Sequence, residues 1–341
     1  MAQGQSTQDR PLAAALAQAA TVARLAPSVH NTQPWRWQVE PEHLDLYAER
    51  SRQLPVVDPH GRLLLLSCGA SLHHARLALM VQGWQPTVSR LPDEADPDHL
   101  ARITATERIP VSPASMRLYQ AAEIRHTDRR ALTDTRVPPQ AIETMRAAVE
   151  AEGNHLHVLR PDQIADLASA AARADAIGLA DPAQRAEMSA WVGGERDQGL
   201  GVPDSVIPHT TPQTEVPLRD FGRAGTLDPG GGHDRNAVYG VLFGSGDEPP
   251  DWLRAGEALS ALWLTATESG VSVLPFSSVI EVGAARERIR GMLAGVGQPY
   301  LVLRFGVADS ASPGPVGTGR LAPEHVVRLP PSATGPSDQD G

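Results

Sequence analysis

The sequence predicts an α+β protein in which one fold is duplicated within the chain as a pseudo-dimer, with mixed antiparallel sheets and long core helices. Two apolar helical patterns, at residues 63–82 and 252–269, each end at a glycine and lead into a short strand pattern. Four landmarks recur at a shift of 187 positions (256 − 69 and 270 − 83), with Gly69, Leu72, Leu77 and Gly83 matching Gly256, Leu259, Leu264 and Gly270. We therefore predict two halves, residues 10–110 and 117–328.

The first half alternates helical and strand patterns. Its opening helix has an apolar face, and Pro11 suits the first helical position because the N–H that proline lacks is unsatisfied there in any case. Later segments show the period of two that is typical of strands, and Gly83 suits a left-handed helix cap. The predicted elements are helix 11–25, strands 35–39 and 43–48, helix 63–82, and strands 87–91 and 101–105.

The second half repeats this order after an additional helical pattern at residues 118–124. Its helix 139–152 runs into strand 155–159 as the opening helix of the chain runs into strand 35–39. Helix 252–269 then runs into strand 272–274. The second copy omits the polar segment that separates helix from strand in the first copy.

Charge and composition exclude several functions. The 341 residues carry a formal net charge of −10, which argues against non-specific nucleic-acid binding because phosphate neutralisation needs a basic face. Cys68 is the single cysteine, so an intrachain disulfide is excluded. No run approaches the roughly 18 apolar residues that span a bilayer, and residues 1–10 lack a signal-peptide pattern. We expect a soluble, cytoplasmic protein without a membrane or nucleic-acid partner.

The polar loop, residues 27–35, reads Pro-Ser-Val-His-Asn-Thr-Gln-Pro-Trp, and its first seven residues, 27–33, are the part that the second copy omits. Its prolines fix the backbone, while Ser28, His30, Asn31 and Gln33 supply hydrogen-bonding groups that a rigid loop can direct at a bound molecule. The alternative is an ordinary helix-to-strand connection in which the polar side chains cap backbone groups. Spacing alone leaves both readings open.

A basic cluster, Arg125-His126-Thr127-Asp128-Arg129-Arg130, follows the helical pattern at residues 118–124. A helical continuation would place Arg125 and Arg129 on one face with the Thr127 hydroxyl nearby, an arrangement that can hold a dianionic phosphate. The alternative is a solvated helix end whose arginines pair with Asp128 or Glu123.

The periodicity fades between residues 178 and 239, where glycines and prolines are frequent. A loop of this length in a compact domain is either disordered or functional. Since Trp191, Leu218 and Phe221 give it apolar side chains to bury, we predict a lid at residues 178–239.

Other chemistries have weaker support. His73 and His74 are adjacent, so on a helix they point about 100° apart, and no ligand partner stands at metal spacing. We therefore predict no metal site. Ser277-Ser278 lacks the nucleophile elbow of hydrolases, and Cys68 is expected to pack as a small apolar residue.

Taken together, these segments resemble the nitroreductase-like FMN flavoproteins, most closely the Acg-type branch, whose single chain is internally duplicated. The resemblance extends from about Ala13 to Arg328. Its short signatures are residues 27–35, 52–54, 58–62, 67–70, 126–130, 218–221 and 251–256.

The resemblance implies an FMN site built from both halves. Its phosphate ligands would be Arg125, His126, Thr127, Arg129 and Arg320, and the backbone of Pro275, Phe276, Ser277 and Ser278 would lie along the flavin N5 edge. Pro27, Ser28, Val29, Asn31 and Gln33 would come from the other half, in the place of a partner subunit. Two positions depart from the family pattern: Thr318 replaces a basic residue, and Phe-Ser-Ser at 276–278 replaces Ile-Glu-Gly.

The implied activity is an NAD(P)H-dependent reduction of a nitroaromatic or quinone-type acceptor through hydride transfer at flavin N5, without a catalytic side chain. Only one phosphate cluster and one polar loop are present, which predicts one FMN per chain. The protein would be a monomer that mimics a dimer, with further homo-association possible. If the lid excludes the nicotinamide, the alternative is an FMN-sequestering or storage protein.

Overall fold

The computed structural model describes residues 11–194, 199–309, 314–315 and 317–330, which form an α+β fold with two sheets. The helices are α1 Leu12–Ala23, α2 Arg62–Met80, α3 Pro113–Ile124, α4 Pro139–Ala151, α5 Pro161–Ala180, α6 Pro182–Trp191, α7 Pro249–Glu268, α8 Ser278–Glu281, α9 Gly283–Met292 and α10 Pro323–Val326. The strands are β1 Trp35–Val39, β2 His43–Ala48, β3 Trp84–Arg90, β4 His99–Arg108, β5 His155–Val158, β6 Val238–Gly244, β7 Ser272–Phe276, β8 Gln298–Gly306 and β9 Val327–Arg328.

The two sheets have the same strand order. The first reads β1-β2-β4-β3 and the second β5-β6-β8-β7, and every pair within these two series is antiparallel. A helix precedes the first strand of each series, and a long helix, α2 or α7, precedes the third strand. The predicted α+β class, with one fold duplicated around long core helices, is confirmed.

The long helices α2 and α7 pack directly against each other through a pair of glycines. A Cβ atom on Gly69 would lie 1.9 Å from the carbonyl oxygen of Leu253, and one on Gly256 would lie 2.0 Å from that of Leu66. The two contacts are related by the 187-residue shift, since Leu66 corresponds to Leu253. At the helix crossing, equivalent residues of the two halves therefore make equivalent contacts with each other.

One hydrophobic core spans both halves. It contains Leu16 from α1, Trp37 from β1, Leu72 from α2, Trp263 from α7 and Leu303 from β8. The halves are consequently not separate globules, because apolar surface of each is buried against the other.

Two differences from the sequence prediction concern helix α3 and the predicted lid. Helix α3 begins at Pro113, five residues earlier than predicted, because Ser112 caps its N-terminus. Residues 178–239 are not an unbroken loop, since α5 reaches Ala180 and α6 follows directly. No residue of α6 is buried, so the apolar period that identifies a helix in sequence is weak there.

The boundaries of the two halves and of the lid stay predictions, and one strand crosses between the halves. Strand β9, near the end of the predicted second half, pairs in parallel with β1 at Trp37 and Gln38. The sheet formed by the strands of the first half thus also includes a strand from the C-terminal end of the second half.

Helix α2 is a correction to the expected absence of a membrane-length segment. It is the one helix in the described parts of the chain that is long and apolar enough to cross a bilayer. However, 89% of its apolar window is buried inside the fold, and the core helix of a soluble protein meets the same criterion. Its apolar surface is used to pack against α7.

We expect Gly69→Ala and Gly256→Ala each to destabilise the protein by about 1–3 kcal/mol or more, because the added methyl would overlap a backbone carbonyl that cannot move aside cheaply. Thermal unfolding should show a Tm several degrees lower. Gly291→Ala in α9 is the matched control, since no atom lies within 4 Å of its added Cβ. Equal Tm values for the three variants would contradict the proposed close crossing.

Candidate functional site

A cavity lies between the halves and receives side chains from both. The polar loop, the start of α2, the basic cluster, α7 and the end of β7 all contribute to it, together with the covering segment, which we define as residues 199–223. Of the residues predicted to contact a ligand, the cavity is lined by Pro27, Ser28, Val29, Asn31, Arg125, His126, Thr127, Arg129, Pro275, Phe276, Ser277, Ser278 and Arg320.

The polar loop has a strained backbone, and hydrogen bonds within the loop and to α2 hold it in that conformation. His30 and Asn31 have φ values of 43° and 55°, which non-glycine residues seldom adopt. The Ser28 hydroxyl accepts from the Gln33 amide (2.9 Å), and the Ser67 hydroxyl of α2 accepts from the Val29 amide (3.1 Å). Strain of this kind persists only where surrounding contacts compensate, and it is frequent at ligand sites.

Asn31 ties the polar loop to the covering segment. Its side-chain nitrogen donates to the carbonyl oxygens of Gly199 (2.8 Å), Gly201 (3.1 Å) and Gly319 (3.1 Å). The amide nitrogen is therefore already used by protein backbone, and the remaining polar atom of this side chain is the one available to a ligand.

Gln33 does not line the cavity, in contrast to the expectation from the sequence. It is fully buried behind the wall, where its side-chain nitrogen donates to the Gly199 carbonyl (2.8 Å) and its oxygen accepts from the Leu321 amide (3.0 Å). One end of the side chain thus holds the covering segment and the other holds the C-terminal segment against the loop.

The basic cluster is extended rather than helical, which corrects the predicted geometry. Helix α3 ends at Ile124, Arg125 has a ψ of 129°, and Thr127 forms a parallel bridge with Val273 of β7. An extended chain alternates its side chains, so Arg125, Thr127 and Arg129 point to one side. The same three residues reach the cavity, by a different backbone geometry from the one expected.

Arg125 is buried and has no ionic partner among the residues that the structure describes. Only 8% of its surface is exposed, its Nε atom has no hydrogen-bond partner, and its guanidinium lies over the Trp263 ring at 4.6 Å. Burial first, and then the charge of Arg320, lower the pKa of Arg125 from its usual value to about 9. A buried cation of this kind is costly unless an anion accompanies it.

Arg129 and Arg320 are half-buried, and each donates hydrogen bonds to its surroundings. Arg129 donates weakly to the Val206 carbonyl (3.4 Å), and Arg320 donates to the carbonyl (2.9 Å) and hydroxyl (2.8 Å) of Thr318. Burial lowers the pKa of each to about 10. Within the residues that the structure describes, none of the three arginines forms an ion pair with a carboxylate.

The one acidic residue of the cluster is turned away from the cavity. Asp128 is 1% exposed and binds Arg130 through both oxygens (3.0 and 2.8 Å). The sequence alone allowed Asp128 to neutralise Arg125 or Arg129, and the structure assigns it to Arg130 instead. The cavity therefore keeps an excess of positive charge.

The rest of the cavity wall is largely apolar and includes residues that sequence reasoning missed. Leu63 and Leu66 come from α2, Leu259 and Trp263 from α7, and Leu274 from β7. A flat heteroaromatic ring suits such a wall, with an anionic group at the arginines. The helical period of α7 placed Trp263 in the core, but nothing in the sequence showed that its ring faces a ligand site.

Arg219 closes the cavity from the covering segment, and it was missed as well. It donates to His30 Nε2 (2.9 Å) and forms an ion pair with Glu281, while the His30 and Phe221 rings meet edge to face at 6.4 Å. Burial, and then the charges of Arg219 and Arg129, lower the pKa of His30 well below its usual value. His30 is thus a neutral acceptor, consistent with a donor on Nε2.

The equivalent position in the other half is filled by an ion network. Arg76 corresponds to Trp263 and Arg90 to Ser277 (263 − 76 and 277 − 90). Both bind the fully buried carboxylate of Glu257, each with a shortest contact of 2.7 Å. The connection between α4 and β5, which runs from residue 152 to 154, also lacks a counterpart of the polar loop.

The adjacent histidines of α2 do not face each other. His73 Nδ1 lies 2.9 Å from the Ser260 hydroxyl, and His74 is fully buried with neither ring nitrogen in a hydrogen bond. Among the residues described, no group of three or more His, Cys, Asp or Glu side chains has a metal-binding arrangement.

Comparison with known proteins finds relatives along nearly the whole chain. "Putative NAD(P)H nitroreductase Rv3131" of Mycobacterium tuberculosis is 36% identical over 314 residues, which cover 91% of this chain and 90% of the relative. "Putative NAD(P)H nitroreductase acg" of the same organism is 32% identical over 317 residues, covering 91% and 94%. No protein-family model matches.

Among solved structures, the FMN-dependent nitroreductase NfnB from Mycobacterium smegmatis, in complex with NADPH, is 21% identical and covers 66% of this chain and 98% of that chain. Its TM-score of 0.34 is too low to support a conclusion. Sequence identity above 30% over nine-tenths of both Mycobacterium tuberculosis relatives is sufficient to assign the family. The chain belongs to the nitroreductase-like family, in its Acg-type branch.

Proposed function

We propose that the protein is an FMN-dependent NAD(P)H oxidoreductase that holds one flavin in the cavity between its halves and reduces nitroaromatic or quinone-type acceptors. The observation that carries this proposal is a set of three arginines at the end of an apolar cavity that includes a tryptophan: Arg125 is buried, Arg129 and Arg320 are half-buried, and none has a carboxylate partner among the described residues. The names of the two relatives support the same activity.

The arginines fit the phosphate of FMN by charge and by donor geometry. A phosphate dianion would neutralise the charge of Arg125, Arg129 and Arg320, and its oxygens would accept hydrogen bonds from their N–H groups. The Thr127 hydroxyl adds an uncharged donor. Among the described residues, these charges are met by backbone carbonyls, the Thr318 hydroxyl and the Trp263 and Phe221 rings, none of which is an anion. A phosphate dianion would supply the negative charge that these neutral partners lack.

FMN, when bound, would supply hydride acceptance and donation at its flavin N5 atom. The chain positions that ring: Leu66 and Trp263 would pack on it, and Pro275 to Ser278, where β7 passes into α8, would lie along its reactive edge. Asn31 and Ser28 would approach from the first half. No side chain is required to act as a nucleophile.

Sequestration of FMN is the second candidate, and the covering segment favours it. Asn31 binds Gly199 and Gly201, and Arg219 binds His30 and Glu281, so the segment is fixed to both walls of the cavity. A cover held this firmly would exclude a nicotinamide from the ring. The protein would then store the flavin and turn over slowly.

We expect one FMN per chain, because the second position is occupied by Glu257, Arg76 and Arg90. Flavin absorbance divided by protein mass should give a ratio near one after reconstitution with excess FMN. A ratio near two would contradict the asymmetric site.

Arg125→Ala should weaken FMN binding by roughly tenfold to a hundredfold, since hydrogen bonds to charged groups contribute about 1.5–3 kcal/mol. The Tm of the flavin-free protein should change little, because the variant also removes an unpaired buried charge. Arg130→Ala is the matched control from the same segment. It leaves buried Asp128 without its partner, so here the flavin-free Tm should fall. Comparable Tm losses in both variants would assign Arg125 to the scaffold.

Anaerobic stopped-flow mixing with NADPH separates the two candidate functions. A reductase should bleach the flavin band within the turnover time and show ping-pong kinetics with a quinone acceptor. Absence of bleaching, with FMN still bound, would exclude the reductase and support sequestration.

A further inference from the structure

A second cavity lies beside helix α6 and adjoins the first. Three side chains line both spaces, namely Arg219 and Phe221 of the covering segment and Ser278 at the start of α8. Helices α5 and α6 supply much of the remaining wall. The volume of the second cavity is about 290 Å³, which is close to the lower end of the usual range for small-molecule sites.

The apolar part of this lining suits a compact aromatic body. Its aliphatic side chains belong to Val57, Ala174, Leu179, Val192 and Val282, while Phe221 supplies a ring and Met188 a thioether. Aromatic rings and thioethers both make favourable contacts with a further aromatic ring. The lining therefore favours a ligand with an aromatic ring over a purely polar one.

The charged side chains of the second cavity balance one another. The lining contains three arginines, Arg185, Arg219 and Arg223, and three carboxylates, Asp175, Asp220 and Glu281. Arg219 is ion-paired with Glu281, and Arg223 with Asp204 (2.9 Å). With three charges of each sign, the lining offers an ionic ligand no net opposite charge, and a charge that leaves water without a partner is costly. An uncharged ligand fits this lining best.

Two uncharged polar side chains of α6, Gln184 and Ser189, complete the lining. In the parts of the chain that the structure describes, neither side chain forms a hydrogen bond. Each can both donate and accept, so together they suit a hydroxyl or carbonyl oxygen on a neutral molecule.

The second cavity faces solvent along α6. None of the residues of this helix is buried, and Leu179 and Arg185 of the lining are exposed. The first cavity, in contrast, lies under the covering segment, which Asn31 and Arg219 hold in place. A small molecule can therefore reach the second cavity without breaking the contacts that hold that segment.

We propose that the second cavity binds an uncharged aromatic compound that carries a hydroxyl or carbonyl oxygen. The ring would pack on Phe221 and Met188, and the oxygen would meet Gln184 or Ser189. Quinones, one class of acceptor in the function proposed above, share this chemistry, but the site itself does not rest on that function. Its position beside the first cavity means that a bound ring would also touch Arg219, which lines both.

Isothermal titration calorimetry of the purified full-length protein tests the proposal with a matched pair of probes. These are 1-naphthalenemethanol, which is uncharged, and 1-naphthylmethylamine, which is protonated at pH 7. The alcohol should bind about tenfold more tightly than the amine, because the lining offers the ammonium group no net negative charge. Equal affinities, or tighter binding of the amine, would overturn the proposal.

Met188→Trp tests the location of the bound alcohol. The larger ring would fill the second cavity, so binding should weaken by about tenfold or more, whereas Met188 does not line the first cavity. Ala186→Trp, at an exposed position of α6 outside both linings, is the matched control and should bind the alcohol as the parent protein does. Unchanged binding in Met188→Trp would contradict the assigned site.

Excess FMN separates the second cavity from the first. Alcohol bound in the second cavity should remain bound in the presence of saturating FMN, and displacement by FMN would place it in the first cavity and overturn the proposal. Failure of FMN to bind at all would contradict the function proposed above. The expected difference between Met188→Trp and Ala186→Trp would still apply in that case.

Discussion

The close crossing of α2 and α7 is the contact on which the rest of the structure depends. Glycines at Gly69 and Gly256 let each helix approach the carbonyl oxygens of the other, so the halves join along their longest elements. That approach brings the polar loop of one half opposite the basic cluster of the other. The cavity exists because two helices meet at this distance, and neither half could form it alone.

Charge then distinguishes two positions that the duplication made equivalent. At one, Arg125 is buried and Arg129 and Arg320 are half-buried, no carboxylate among the described residues pairs with them, and the neighbouring acid, Asp128, is committed to Arg130. At the other, Glu257 satisfies Arg76 and Arg90 within the protein itself. The first position requires an anion from outside, and the second is already neutralised by its own side chains. The two equivalent positions thus differ in charge because their carboxylates pair with different arginines.

The sequence predicted the elements that have strong periodicity or clear caps. Strands β1 and β2 were predicted to the residue, and the two glycine-terminated helices and their 187-residue relation were found because order, length and caps agree in both copies. Helix α6 was missed because it buries no side chain. The basic cluster was expected to be helical, yet its bridge to Val273, a contact between residues far apart in sequence, keeps it extended.

The site was predicted in its residue types and less well in its geometry. Family resemblance and local sequence pattern identified the arginines and the polar loop. The structure brings the arginines and residues 27–31 of that loop together around one cavity. Gln33 was assigned to the ligand because it lies within the motif, whereas its side chain binds the backbone of the covering segment at Gly199 and of the C-terminal segment at Leu321. Arg219, Trp263 and Glu257 could not be found, since their roles depend on which charges meet across the two halves.

Strand β9 makes the cavity depend on a contact between distant parts of the chain. Arg320 reaches the cavity on the segment that ends in β9, and that strand is anchored beside β1, where Val327 pairs with Trp37, 290 positions earlier (327 − 37). The cation cluster is therefore complete only when the first and last strands of the described chain have paired. Local detachment of β9 would remove Arg320 from the cavity and leave both four-stranded series intact.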